Sequence, residues 1–447
     1  MSLLIFAEAP SPRLTYTTDL LFRQLSGIPC RVTDRREEFD AYLGPRLNYS
    51  RDATSENALW VAPCGLLSET GIRAQSCDFF MAGETPALFP TPVSGAHFPF
   101  DLFAAAFYLV SRYEEYLPAA RDAHERFSSG SSIAAQNGFL QRPVVNEWVI
   151  LLAKALQALY PTLSYQPLPY QFQPTYDVDI AWAYGHRPLW HHLGTIGADL
   201  VKGQWQRLGN RIAVGRGQAE DPYFTFPWLE ALHQRYELQP VFFFLLGDYS
   251  RLDPNIAAKN PPFRQLIAQM GAVHPIGIHP SYAASKDPGR MGIEVERLAE
   301  ICGRPVVRSR QHFLRLRFPD TYRQLLNADI REDYTLGYAD QPGFRAGIAA
   351  PFYWYDLERE ESTPLLLHPF QVMDVTLQQY MGLSPSEAVA VCAKLSDAVR
   401  ATGGVFSTLW HNSSFSALHG WDGWAAVYEE IMRNSLKNSL CGSTFVR

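Results

Sequence analysis

From residue 172 onward, short apolar runs alternate with helical patterns, and this alternation limits the fold more than any other feature. Runs at 172–179, 241–246 (VFFFLL), 273–278, 306–308 and 405–410 have strand length. Helical periodicity recurs between them at 227–236, 262–270, 291–302, 319–328 and 385–402. Strands separated by helices pair in parallel, because the helix returns the chain to the same sheet edge. The expected class is α/β, with a parallel sheet or barrel. In such folds the chemistry collects beyond the carboxyl ends of the strands.

The chain before this region has its own α/β pattern. Residues 3–7, 28–32 and 58–62 read as strands, and Leu20, Leu21, Phe22 and Leu25 as a helical face. Residues 100–110 form a continuous apolar helix, and 142–160 another helix that opens at Pro143. Pro161, Pro167 and Pro169 then stiffen the segment between the two patterns. A chain of 447 residues is too long for one ordinary core. Two domains are therefore expected, a smaller α/β accessory domain at 1–165 and a larger one at 170–447, joined near 160–172.

Composition narrows the function. Hydrophobic residues make up 47% and charged residues 19%, which fits a buried globular core and excludes disorder. Net charge is −6, so no basic surface argues for a nucleic-acid partner. Aromatics reach 13%, which suits thick cores or a sugar-stacking cleft. The six cysteines, Cys30, Cys64, Cys77, Cys302, Cys392 and Cys441, include no CxxC pair and fit a reducing compartment. The start turns acidic at Glu8 without a basic leader, and no apolar run is long enough to span a membrane. A cytoplasmic location is expected.

The segment Thr175-Tyr176-Asp177-Val178-Asp179 carries the first chemical signal. On a strand, Asp177 and Asp179 face the same side. Two carboxylates there repel unless a cation or a shared proton relieves them. Asp179 and His279 are the best ligands for a divalent metal, most naturally zinc, which takes carboxylate oxygen and imidazole nitrogen. For the third position His312 is the first choice and His274 the second. Asp177 is the expected base and His411, after the strand at 405–410, the expected acid. Arg345, between Gly343 and Gly347, is expected to hold Asp177 or a substrate oxygen. Tyr176, Arg310 and Trp410 are the expected substrate contacts.

Residues 170–447 resemble the NodB-type polysaccharide deacetylases, carbohydrate esterase family 4. Asp177-Val178-Asp179 is similar to that family's first motif, which supplies a base aspartate and a metal aspartate. Val273-His274-Pro275-Ile276-Gly277-Ile278-His279 resembles the second motif and carries its metal histidine onto His279. Arg308-Ser309-Arg310-Gln311-His312 resembles the third, and Leu409-Trp410-His411 the last. The resemblance implies a distorted (β/α) barrel and metal-assisted removal of acetyl from an N-acetylated sugar, so the implied partner is a carbohydrate. Two departures stand out. The family's second metal histidine lies four residues after the first, where this chain has Ala283, and the third motif lacks its Pro-aromatic pair. The metal site is then either rebuilt, with His312, or weak or absent. Residues 1–165 resemble the N-terminal domain that accompanies divergent deacetylases. Their polar residues Asp101, Arg112, Glu114, Glu115 and His124 are expected at helix surfaces and interdomain contacts.

Two functions compete on these residues. One is a metal-dependent carbohydrate N-deacetylase. The other is a catalytically inactive scaffold or carbohydrate-binding protein on the same fold, which Ala283 favours.

Overall fold

The computed structural model describes residues 2–53, 57–187, 201 and 203–437. Near the amino terminus, β1 (Leu3–Ala7), β2 (Cys30–Thr33), β3 (Arg46–Tyr49) and β4 (Leu59–Trp60) form a four-stranded parallel sheet in the order β2-β1-β3-β4. Every residue of β1 is buried, as its LLIFA sequence requires of a central parallel strand. A two-stranded hairpin follows, β5 (Phe79–Ala82) and β6 (Thr85–Leu88). The apolar helix Leu102–Val110 is buried along its whole length, capped by Asp101, and the helix Val144–Leu159 packs beside it in the same core.

After the Pro-rich segment, nine strands form one sheet. They are β7 (Tyr170–Val178), β8 (Val241–Leu245), β9 (Ile276–His279), β10 (Arg308–Ser309), β11 (Glu332–Asp333), β12 (Phe352–Asp356), β13 (Glu361–Leu367), β14 (Val372–Met373) and β15 (Gly404–His411). Their order is β12-β13-β11-β10-β9-β8-β7-β15-β14. All neighbours run parallel except the edge pair β12–β13, which is an antiparallel hairpin. The α/β class expected from the alternation is what the chain adopts. Among the described residues the ladder is open, with β12 and β14 as its edges.

The long strand β15 lies against β7 over eight residue pairs, which sets His411 opposite Asp177. The first and last major strands of the region are therefore neighbours. On the other side, β8 and β9 bring His279 level with Leu245. Every strand that bears a candidate catalytic residue ends at the same edge of the sheet.

Among the described residues no strand pairing joins the two sheets, but a side-chain network does. Asn146 donates to Gly403 O and accepts from Ala349 N–H. Tyr16 donates to Tyr353 O, and Arg13 pairs with Glu360. Arg112 and Arg345 both clasp Glu115, with every partner at most 2% exposed. Burial alone would raise the Glu115 carboxyl, but Arg345 and Arg112 overrule it and hold it below its ordinary range. Among the described residues no helix is long and apolar enough to cross a membrane. The five described cysteines are free, and Cys441 lies outside the described residues.

Candidate metal centre

Asp177 is the next-to-last residue of β7, and Asp179 follows its end. Period-two alternation puts both on one face, as expected, and the consequence for their neighbours is equally strict. Tyr176 points the other way. It is fully buried, with its hydroxyl between His233 Nε2 (2.7 Å) and the Tyr428 hydroxyl (2.5 Å). The same alternation on β15 turns His411 toward the site and Trp410 into the core against Phe415 and Tyr428. Neither Tyr176 nor Trp410 reaches the cleft, so both expected substrate contacts are corrected to core residues.

Asp179, His279 and His312 converge. One ligand atom from each lies within 4.8 Å of the others. The Nε2 of His279 is 3.3 Å from Asp179 Oδ1, and that of His312 is 3.7 Å from Asp179 Oδ2. Both rings are held from behind. His279 Nδ1 donates to Arg310 O at 2.6 Å; a carbonyl only accepts, so Nδ1 carries the proton and Nε2 presents its lone pair to the site. His312 Nδ1 is 3.0 Å from the buried Asp253 carboxylate. Metal-bound histidines show this arrangement, with the outer nitrogen fixed so that the inner one is aimed.

These residues fit a divalent cation. Asp179 Oδ1 and His279 Nε2 are buried and have no hydrogen-bond partner among the described residues. Buried polar atoms are rarely left so. The charge balance points the same way. Burial alone would push the His312 imidazole toward neutrality, but Asp179 and Asp253 outweigh it and raise its pKa to about 9. Burial likewise works against the Asp179 charge, yet the three histidines hold its carboxyl well below the usual range. His312 comes from the short turn after β10. His274, the second choice, is excluded: it sits before β9 and pairs with Glu230 at 2.6 Å.

Asp177 and His411 flank this trio. Asp177 Oδ2 is 3.6 Å from His279 Nε2, and Oδ1 accepts from Arg310 at 3.0 Å. His411 Nε2 is 3.8 Å from Asp179 Oδ2, while its Nδ1 is 2.9 Å from Asp374 Oδ1. Burial alone would lower the His411 pKa; Asp374, then Asp179 and Asp177, overrule it and raise it to about 10. Asp374 is itself fixed by the His411 N–H and the Ser414 hydroxyl.

Two arginines depart from the expected roles. Arg345 does not approach Asp177; it is buried between Glu115 and Gly337 O, because the carboxylate that neutralises it comes from the amino-terminal segment. Arg310 holds Asp177 instead. It also donates to Thr175 and Tyr334 O, lies over the Phe243 ring and is fully buried, so it is not a substrate contact. Asp253 and Asp374 were not singled out from the sequence. Each follows a strand end, but Val372–Met373 is too short to register as a strand, and the loop around Asp253 has no periodicity.

The cleft over these groups measures about 380 Å³. Leu314, Met373, Val375 and Leu409 form its apolar part, and Arg126 of the amino-terminal segment lines one side. Arg126 donates to Phe313 O (3.0 Å) and to the Tyr380 hydroxyl (2.9 Å).

Residues 3–161 match the model of a family of unknown function, DUF7033. No curated protein matches the chain. Among solved structures, one designated a polysaccharide deacetylase from Mycobacterium smegmatis is 18% identical, with 62% of this chain and 87% of that chain covered and a TM-score of 0.38. Puue allantoinase is 14% identical over 60% of this chain and 84% of its own, with a TM-score of 0.36. A polysaccharide deacetylase from Bacillus cereus is 14% identical over 49% and 84%, with a TM-score of 0.27. At these scores the site's own geometry has to carry the functional reading.

Proposed function

We propose that the chain is a metal-dependent hydrolase that removes an acyl group, most simply acetyl, from the nitrogen of an N-acylated sugar. The observation that carries this reading is the trio Asp179, His279 and His312, its two histidines buried and two of its ligand atoms unpartnered, with an aspartate and a histidine on either flank. Asp179 and the Nε2 atoms of His279 and His312 would hold the cation, zinc in the first instance. A divalent cation there supplies Lewis acidity, polarising an amide carbonyl and acidifying a water.

The chain's residues supply the proton traffic. Asp177, oriented by Arg310, takes the proton of the attacking water. His411, fixed by Asp374, gives its Nε2 proton to the amide nitrogen as the carbon–nitrogen bond breaks. The products are a carboxylate and a free amine, and the proton on Asp177 returns to solvent or to His411. Asp374 beside its Nδ1 favours the protonated form of His411 that an acid needs. Residues 1–165 and 170–447 are taken as two units, each with its own sheet, and the first as an accessory without a catalytic set of its own.

The test is acetate release from N-acetylated oligosaccharides by the zinc-loaded protein. Asp177→Asn and His411→Ala should each slow it about 10²–10⁴-fold, with metal content unchanged. No release from any N-acetylated sugar with zinc, cobalt or manganese supplied would favour the inactive scaffold instead. Wild-type rates in both variants would remove the roles assigned to them.

A further inference from the structure

Tyr380 stands on the rim of the cleft, and Arg126, from the amino-terminal segment, holds it there. The Tyr380 hydroxyl accepts from Arg126 Nη2 at 2.9 Å, and the guanidinium carbon lies 5.8 Å from the ring centre. Arg126 is buried and pinned in turn. Its Nε donates to Asp122 Oδ2 at 2.6 Å and its Nη1 to Phe313 O at 3.0 Å. Phe313 directly follows His312, so Arg126 fixes the tyrosine relative to a metal ligand. The backbone beneath the ring is held too. Tyr380 ends a turn of π-helix, Thr376–Tyr380, in which Thr376 Oγ1 donates to Ala339 O at 2.7 Å and Thr376 O accepts from Met381 N–H at 3.0 Å.

The residue is nonetheless 48% exposed. An exposed tyrosine by itself needs no explanation. One that is tethered and still exposed does, because ordering a side chain costs entropy that burial usually offsets. The ring lines the same cleft as Asp179, His279 and His312. A rigid aromatic group at the edge of a cleft is a preorganised contact for a ligand. Short π-helical turns also recur at functional sites.

The setting narrows what that ligand is. Beside Tyr380 the cleft offers the exposed side chain of Gln379, and Arg126, whose charge Asp122 answers. An aromatic ring next to an amide suits a neutral sugar, which presents C–H groups on its face and hydroxyls at its edge. Depth places that sugar. His279 and His312 are buried, while Tyr380 is half exposed at the rim. A ring held at the rim is the next unit of a chain rather than the sugar that reacts at the metal.

We propose that Tyr380 is the stacking platform for the saccharide unit next to the one deacylated, so that this cleft takes an oligosaccharide rather than a single amino sugar. The proposal rests on the deacetylase reading for its ligand. Tyr380 exchanges no proton and breaks no bond; it positions the chain, and Arg126 makes the amino-terminal segment part of the substrate site.

The experiment uses full-length, zinc-loaded wild type, Tyr380→Ala and Tyr380→Trp, with N-acetylglucosamine and tetra-N-acetylchitotetraose. It reads KM and kcat for acetate release, the rise in thermal midpoint that each sugar gives, and zinc content. In the wild type the tetramer should have the lower KM and give the larger rise. Tyr380→Ala should raise the tetramer KM about tenfold, with much smaller changes in kcat, in zinc and in the monomer KM. Tyr380→Trp should recover most of the loss. A tyrosine that only ties the two segments together would lower the ligand-free midpoint and shift both sugars alike. That result, or an unchanged tetramer preference in Tyr380→Ala, overturns the inference. Acetate release with no tetramer preference in the wild type overturns it too and leaves the deacetylase reading standing. If no acetate is released but the tetramer stabilises the wild type more than the monomer does, and Tyr380→Ala removes that difference, the deacetylase reading falls and the platform stands. If neither sugar stabilises the wild type or is cleaved, both fall.

Discussion

Asp253→Asn is the perturbation that most cleanly separates an aimed metal ligand from a histidine that is merely nearby. Asp253 Oδ1 accepts from His312 Nδ1 at 3.0 Å and from Tyr282 N–H at 2.7 Å, and Oδ2 accepts from the Ser250 hydroxyl at 3.0 Å. The residue is 1% exposed, so water does not replace these bonds. Asparagine keeps the Oδ1 acceptor and therefore the ring orientation. Only the charge that makes His312 a stronger donor is lost. Outer partners of metal ligands are worth about 10–100-fold in metal affinity. Loss of charge alone belongs at the low end, so Asp253→Asn should weaken zinc about tenfold, or about 1.4 kcal/mol. Asp253→Ala frees the ring as well and should approach a hundredfold, about 2.7 kcal/mol. Competition against a chromogenic chelator at neutral pH measures both. Asp374→Asn is the control, because Asp374 holds His411 rather than one of the three ligands. If Asp374→Asn weakens zinc as much as Asp253→Asn, or if neither does, the ligand set is wrong.

Three further outcomes follow from the same geometry. Asp374→Asn should lower the rate of acetate release by about 10²-fold or more while retaining zinc, measured by steady-state kinetics with metal analysis. Glu115→Gln leaves the Arg112 and Arg345 guanidinium groups buried together without their shared carboxylate; it should cost about 3–5 kcal/mol of stability, read as a lower urea midpoint. His233 is 2% exposed, and burial, then the nearby His274, push its pKa down to about 4. The unfolded chain binds a proton there below pH ~6.5 that the folded chain refuses until about 4. Stability should therefore fall as pH drops through that window, by about 3 kcal/mol from this residue. His233→Gln should flatten that part of the stability profile, and an unchanged acid slope would contradict the assignment.

The parallel sheet is legible because β8 is apolar through its length and helical patterns separate the strand-length runs. Residues 241–246 and 405–410 cannot be read as solvent-facing, and the helices between them dictate parallel pairing. The edge hairpin Phe352–Asp356 and Glu361–Leu367 is not, since its second strand opens on Glu361-Ser362-Thr363-Pro364, which reads as a loop. The proposed metal residues Asp179 and His279 are legible because each stands at the end of a buried strand, where a polar side chain has to be explained. His312 rests on backbone geometry that no pattern announces, with Phe313 and Leu314 both at positive φ just after it. The errors come from two physical causes. The alternation that sets Asp177 and Asp179 on one face also turns Tyr176 inward, and on β15 it turns Trp410 inward beside His411. Arginine side chains are long, and their partners are set by tertiary contacts: Glu115 lies 230 positions from Arg345, so no local reading links them.

The account turns on one cation held by Asp179, His279 and His312, and anomalous diffraction at the zinc edge from zinc-loaded crystals tests it most directly. The predicted result is a single strong peak about 2.0–2.2 Å from Asp179 oxygen and from the Nε2 atoms of His279 and His312, lost in His312→Ala. A peak elsewhere, or none within reach of those three atoms at saturating zinc, would contradict it.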